Sequence, residues 1–190
     1  MIIAKQKRQE NIAEYVLYMW QLEDLIRAYN FDIDAMTQGF TLSPLELPKV
    51  KQWYRDMADA MKAEGIHKKG HLMQLKELVQ DLSTLNIKLL QNPKETKYKE
   101  LFTAAMPHIT EIINHSDDFV RNEIDACFTG LYGMMLLRLQ KKEISEDTQN
   151  AMKTFSNLLA ALSVRFKQYE NGELDLDDID TNSNDNSKQI

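Results

Sequence analysis

Apolar residues recur every three to four positions along most of this chain, which is the spacing of one face of an α-helix. The clearest stretch runs from Gly70 to Gln91. With only six glycines and four prolines, and with no segment of strand-like alternation, the chain offers little to a β-sheet. The sequence therefore predicts an all-α fold. The apolar positions of the clearest stretch are Leu72, Leu75, Leu78, Val79, Leu82, Leu85 and Leu89.

The pattern divides the chain into about six helices that we expect to form a single helical bundle. We predict one domain over residues 1–170, because 190 residues are enough for one sizeable core. Residues 171–190 carry six acidic groups and one lysine among few apolar residues, so we expect a disordered acidic tail there. The predicted helices span about 6–29, 48–64, 70–91, 93–115, 116–143 and 145–170.

Charge and cysteine content exclude several classes of protein. The net charge of −6 comes mostly from the acidic tail, and a nearly neutral body lacks the basic surface that binds DNA or RNA. A single cysteine, Cys127, cannot form a disulfide within the chain and is typical of a reducing compartment. No apolar run reaches the roughly 18 residues of a membrane span. We therefore expect a soluble cytoplasmic protein that binds neither nucleic acid nor membrane.

The segment Gly130–Leu139 is the most hydrophobic in the chain, yet it contains Arg138. A helix that is apolar almost all round is usually central, so we predict that the fifth helix lies in the middle of the bundle. Arg138 falls on its large apolar stripe and is expected to be buried. A buried guanidinium stays charged and needs a carboxylate, carbonyl groups, an anion or water as its partner.

The first predicted helix supplies such a carboxylate. Glu23 and Asn30 fall near the centre of its apolar stripe, and Arg27 lies at the edge, one turn from Glu23. Glu23, Arg27 and Arg138 form the predicted buried polar cluster. We interpret it first as an ion pair that fixes how the helices pack, and alternatively as a polar pocket for a small anion. Asn30 is a weaker member.

His71 is a further weak candidate, on the apolar face of the predicted third helix. His67 precedes it by four residues, and such a pair suits metal binding when both lie on one helix. Gly70 weakens a helix between them, so we favour a hydrogen-bonded histidine and predict no metal or cofactor. Cys127 lies on an apolar stripe without an adjacent base, which favours a core residue over a nucleophile.

Three blocks of the sequence carry a resemblance to a known family: residues 10–28, the tripeptide Gly70-His-Leu72, and residues 131–145. In these blocks the chain resembles a family of small bacterial proteins described as a domain of unknown function. The likeness covers most of residues 1–170 and weakens in the 31–48 loop and the acidic tail. It implies a helical cytoplasmic protein and supplies no activity, substrate or cofactor.

The sequence contains no catalytic motif, and this absence favours a non-enzymatic protein-interaction or scaffold role. Aromatic residues left for the surface, such as Tyr18, Trp20 and Trp53, support a homodimer or a complex with an unknown protein partner. The alternative is an enzyme that binds a small molecule or a metal in a polar pocket. That pocket would lie around Glu23, Arg27, His71 and Arg138.

Overall fold

The computed structural model describes residues 2–116 and 120–174, and all regular secondary structure in these ranges is α-helical. The predicted all-α fold is confirmed. The described part of the chain contains α1 (Ile2–Glu10), α2 (Ile12–Ala28), α3 (Ile33–Thr37), α4 (Leu47–Ala63), α5 (Met73–Gln91), α6 (Thr96–His115), α7 (Glu123–Leu139) and α8 (Glu146–Glu170).

The chain divides into two compact units, Met1–Leu78 and Val79–Ile190, and the division falls within α5. The first unit contains α1 to α4, and the second contains α6 to α8. The expectation of one domain over residues 1–170 stays a prediction. The expected disorder of the 171–190 tail also stays a prediction, since residues 175–190 lie outside the described ranges.

The predicted first helix, 6–29, is wrong, because two helices meet at Asn11. The Asn11 backbone is extended, with φ −152°, and its side chain accepts hydrogen bonds from the amides of Ala13 and Glu14. Asparagine at an N-cap satisfies amides that the first turn leaves without partners. The apolar spacing continues across this break, so periodicity alone could not reveal it.

In the first unit, α2 packs against α3 and α4, with Val16, Ile26 and Met61 fully buried. On the surface, Lys51 and Arg55 of α4 reach Asp34 of α3 at 2.7 and 3.0 Å. Hydrogen bonds from these two cations hold the pKa of Asp34 below its usual value. The short α3 is therefore attached to α4 from its exposed side as well as from the core.

In the second unit, α6, α7 and α8 pack against one another in pairs. Phe155 and Leu158 of α8 are fully buried. The buried Glu95, just before α6, accepts a hydrogen bond of 3.0 Å from Arg165 of α8. This charged pair fixes the start of α6 against α8, and α6 continues through Pro107 to its end.

The predicted fifth helix corresponds to α7. This helix begins at Glu123, after the N-cap Asn122, and not at Ser116 as predicted. Part of the predicted start, residues 117–119, lies outside the described ranges. The first half of α7 is buried, in agreement with a central helix, and Ile124 and Phe128 are fully inaccessible. Residues 131–137 are only half-buried, and Leu139 is 71% exposed. The central position therefore holds for the first half of α7 alone.

Two glycines within α7 have different surroundings. A Cβ at Gly130 would lie 2.7 Å from a ring carbon of Phe155, so only glycine allows α8 to approach this closely. A Cβ at Gly133 would meet nothing within 4 Å. Glycine inside a helix is less favourable than alanine by about 1 kcal/mol. Packing against Phe155 offsets this cost at Gly130, whereas the described residues offer no such contact at Gly133.

We predict that Gly130→Ala destabilises the protein by about 1–3 kcal/mol, because the added methyl group overpacks the contact between α7 and α8. Urea unfolding would measure the change. As a control, Gly130→Ala combined with Phe155→Leu should be less destabilised than the sum of the two single changes, since the smaller side chain makes room. A Gly130→Ala variant as stable as the wild type would contradict this packing.

Candidate functional site

Glu23 is the most deeply buried charged side chain among the described residues, with none of its surface exposed. One carboxylate oxygen, Oε1, accepts a hydrogen bond of 2.9 Å from the amide of Leu72. The other, Oε2, lies 2.5 Å from Nδ1 of His71. A buried carboxylate is tolerated when its oxygens have polar partners, and both partners here come from the segment between α4 and α5.

The imidazole of His71 lies between Glu23 and an aromatic ring. It stacks on the indole of Trp20, with ring centroids 4.0 Å apart and planes 12° from parallel. Trp20 and Glu23 are three residues apart on α2, so they lie on the same face of that helix. The His71 side chain is 28% exposed. The ring is thus held at one edge and one face by a single helix.

Arg27 lies one turn after Glu23, and its guanidinium binds backbone carbonyl groups of the 64–72 segment. Its Nε donates to the carbonyl of Ile66 at 3.2 Å, and its Nη2 donates to the carbonyl of Gly70. Its Nη1 donates to Asp24 at 2.7 Å. A guanidinium carries five donors in a fixed plane, which suits one side chain to several acceptors at once. We call Glu23, Arg27, His71 and Trp20 the polar cluster.

Glycines at each end of the 64–72 segment give it the shape that meets α2. Gly65 follows α4 with φ +70°, and Gly70 precedes His71 with φ +94°. Other residues seldom adopt this left-handed region. The turn at Gly70 directs its own carbonyl to Arg27 while the next two residues meet Glu23.

Two residues of the predicted buried polar cluster, Arg138 and Asn30, are exposed in the structure. Arg138 is exposed in the last turn of α7, so the prediction that it is buried is wrong. The helical pattern places it on the apolar stripe correctly, but the described residues do not cover that part of α7. Asn30 is exposed as well, with φ +50°, and lies in the turn that ends α2.

The histidine pair does not form on a helix. His67 and His71 both lie in the irregular segment between α4 and α5, and His67 is exposed with its ring 5.6 Å from that of Phe31. Within the described ranges, no three side chains of His, Cys, Asp or Glu are grouped to hold a metal ion. Sequence reasoning found Glu23, Arg27 and His71 but missed Trp20, which it assigned to the surface and which is buried.

A cleft of about 600 Å³ opens in the first unit between α1, α2 and α4. Lys5 and Arg8 lie on its α1 side, and Trp53 and Asp56 lie on its α4 side. Leu72, whose amide Glu23 holds, forms part of the wall, but Glu23, Arg27 and His71 do not line the cleft. A carboxylate and imidazole pair acts in catalysis only where the ring can reach a substrate. The His71 side chain is 28% exposed, whereas both oxygens of Glu23 are enclosed and bonded to the 64–72 segment.

Cys127 lies fully buried in the first half of α7, as the sequence predicts for a core cysteine. Burial raises the pKa of its thiol well above the usual range. The reactive form of cysteine is the thiolate, so both the raised pKa and the burial of this thiol disfavour its reaction in the folded protein.

Comparison with known sequences assigns the chain to a family. The sequence profile of the family described as Domain of unknown function (DUF4924) matches residues 1–173. The chain belongs to the DUF4924 family. No curated protein and no solved structure matches the sequence. The DUF4924 match spans both the polar cluster and α7, so both lie within the region that defines the family.

We predict that Glu23→Ala destabilises the protein by about 3–5 kcal/mol, because it opens a cavity and leaves the Leu72 amide and His71 without their carboxylate. Glu23→Gln should cost less, since an amide oxygen can still accept from Leu72. Asp24→Ala is the matched control, because Asp24 binds Arg27 from a side chain that is 44% exposed and should cost less than about 1 kcal/mol. If urea unfolding gave Glu23→Ala and Asp24→Ala the same free energy of unfolding, the prediction would be contradicted.

We predict that Cys127 reacts with a disulfide reagent at pH 8 at least about 100-fold more slowly in the folded protein than in denaturant. The chain has one cysteine, so the absorbance signal has a single source. Complete reaction of the native protein at the denatured rate would show that the thiol is not buried.

Proposed function

We propose that this DUF4924 protein acts by binding another protein chain through the second half of α7, and that it is not an enzyme. The observation that carries the proposal is an uncharged, mostly apolar run, residues 131–137, that is only partly buried and is followed by Leu139, which is 71% exposed. Apolar surface of this kind in a folded protein is typical of an interaction site.

The polar cluster supports the non-enzymatic part of the proposal. The rival function, an enzyme with a small-molecule or metal pocket, needs an open cavity lined by Glu23, Arg27 and His71. Glu23 is instead enclosed and bonded to the 64–72 segment, and the 600 Å³ cleft is lined by other residues. This arrangement is that of a contact which fixes a loop.

The chemistry of α7 indicates the kind of partner. From Ala126 to Leu137 the chain has no charged residue, and the half-buried positions include Leu131, Met134 and Leu136. A surface of this kind is complementary to an apolar helix face, which buries leucine and methionine without leaving a charge unpaired.

The location of the protein is part of the proposal. No helix in the described part of the chain is long and apolar enough to cross a membrane. A lone, buried cysteine is compatible with a reducing compartment. We propose the cytoplasm as the place where the partner is met and, because the charge is nearly balanced outside the tail, a protein as the partner in preference to a nucleic acid.

Photo-crosslinking in cells tests the proposal. We predict that p-benzoylphenylalanine at position 137 crosslinks the full-length chain to a protein, because this position lies on the proposed binding surface. The matched control is position 164, since Val164 is a 57% exposed apolar residue of α8 in the same unit. Mass spectrometry would identify the products. Position 137 giving no more product than position 164 would contradict the proposed function.

A further inference from the structure

We infer that the partner of α7 is a second copy of this chain, and that the two α7 helices cross in contact at Gly133. This inference rests on the proposed function and names its partner. The contact surface consists of Thr129, Gly133, Leu136 and Leu137, which we call the Gly133 face. Successive members of this face are separated by four, three and one residues, so all four lie on one side of the helix. Thr129 is exposed and the other three are half-buried.

Gly133 is the first reason to expect a second helix backbone at this face. Each of the other five glycines has a local explanation. Gly65, Gly70 and Gly172 have positive φ, Gly39 lies outside the helices, and Gly130 packs against Phe155. Gly133 lies inside a helix, and nothing would touch its Cβ within the described chain. A glycine that weakens its own helix is explained where another helix approaches the backbone closely.

The absence of charge is the second reason, and it favours a second copy over a different protein. Residues near the axis of a two-fold contact face their own copies, so a charge close to the Gly133 crossing would lie against a like charge. The Gly133 face has none, and α7 carries no charge between Asp125 and Arg138. Interfaces that select a different partner generally use complementary charges to do so.

The order of residues along the face fits an antiparallel crossing. When two antiparallel helices cross at Gly133, the residue four positions before it lies opposite the residue four positions after it in the other copy. Thr129 of one copy then packs against Leu137 of the other, which places a small side chain against a large one. The acidic first turn of each α7, with Glu123 and Asp125, also points toward the end at which the other copy has Arg138.

Gly133→Ala separates this inference from its alternatives because its two effects have opposite signs. Alanine stabilises the helix of an isolated copy, so the melting temperature of the monomer should rise by about 2 °C. The same methyl group would hold the two backbones apart. We therefore expect the dissociation constant of the dimer to rise at least about 10-fold.

Sedimentation equilibrium of the full chain from about 1 to 100 μM provides the measurement. We expect a wild-type dimer, a weakened dimer for Gly133→Ala, and a monomer for Leu137→Lys. Val164→Lys is the control and should dimerise as the wild type does. Circular dichroism and melting curves would verify that each variant is folded.

A wild-type chain that stays monomeric at the highest concentration overturns the inference, and so does a Gly133→Ala variant that dimerises as tightly as the wild type. Either result leaves the proposed function intact if position 137 crosslinks to a different protein. If position 137 gives no crosslink above the control, the proposed function fails as well. A dimer that both Gly133→Ala and Leu137→Lys weaken supports the inference.

Discussion

The burial of the Glu23 carboxylate is the constraint on which the first unit depends. An acidic group with no exposed surface is stable only while its partners stay in place, and both come from residues 71 and 72. These bonds hold the segment that leads into α5 against α2. Leu72 and Glu23 are 49 positions apart in the sequence. Arg27 reinforces this attachment through carbonyls of the same segment.

The second unit is organised mainly by apolar packing. Phe155 fills the space that Gly130 leaves, and the buried half of α7 contributes residues such as Phe128 and Cys127 to the core. The exposure of α7 changes within one helix, from full burial around residue 127 to half-burial beyond residue 130. From Ala126 to Leu137 the helix carries no charge, yet only its first part is fully buried, so apolar side chains beyond residue 130 stay partly exposed.

Helical periodicity was sufficient to predict the fold class and most helices, because it depends only on local spacing. It also identified Glu23 and Arg27, as polar residues on an apolar stripe. It failed for Arg138, because a helical pattern indicates which residues share a side and not how far a neighbour covers that side. His71 was placed on the third helix and grouped with Glu23 only in the alternative pocket. It lies instead in the irregular segment before α5, whose course periodicity does not describe, and contacts Glu23 from 48 positions away.

The stacking of Trp20 on His71 has a spectroscopic consequence. Indole emission responds to a ring held 4.0 Å away, and the chain has only one other tryptophan, the half-exposed Trp53. With Trp53 replaced by phenylalanine, the emission would come from Trp20 alone. The protein thus contains its own optical probe at the contact between α2 and the 64–72 segment, and detachment of that segment could be followed in time without an added label.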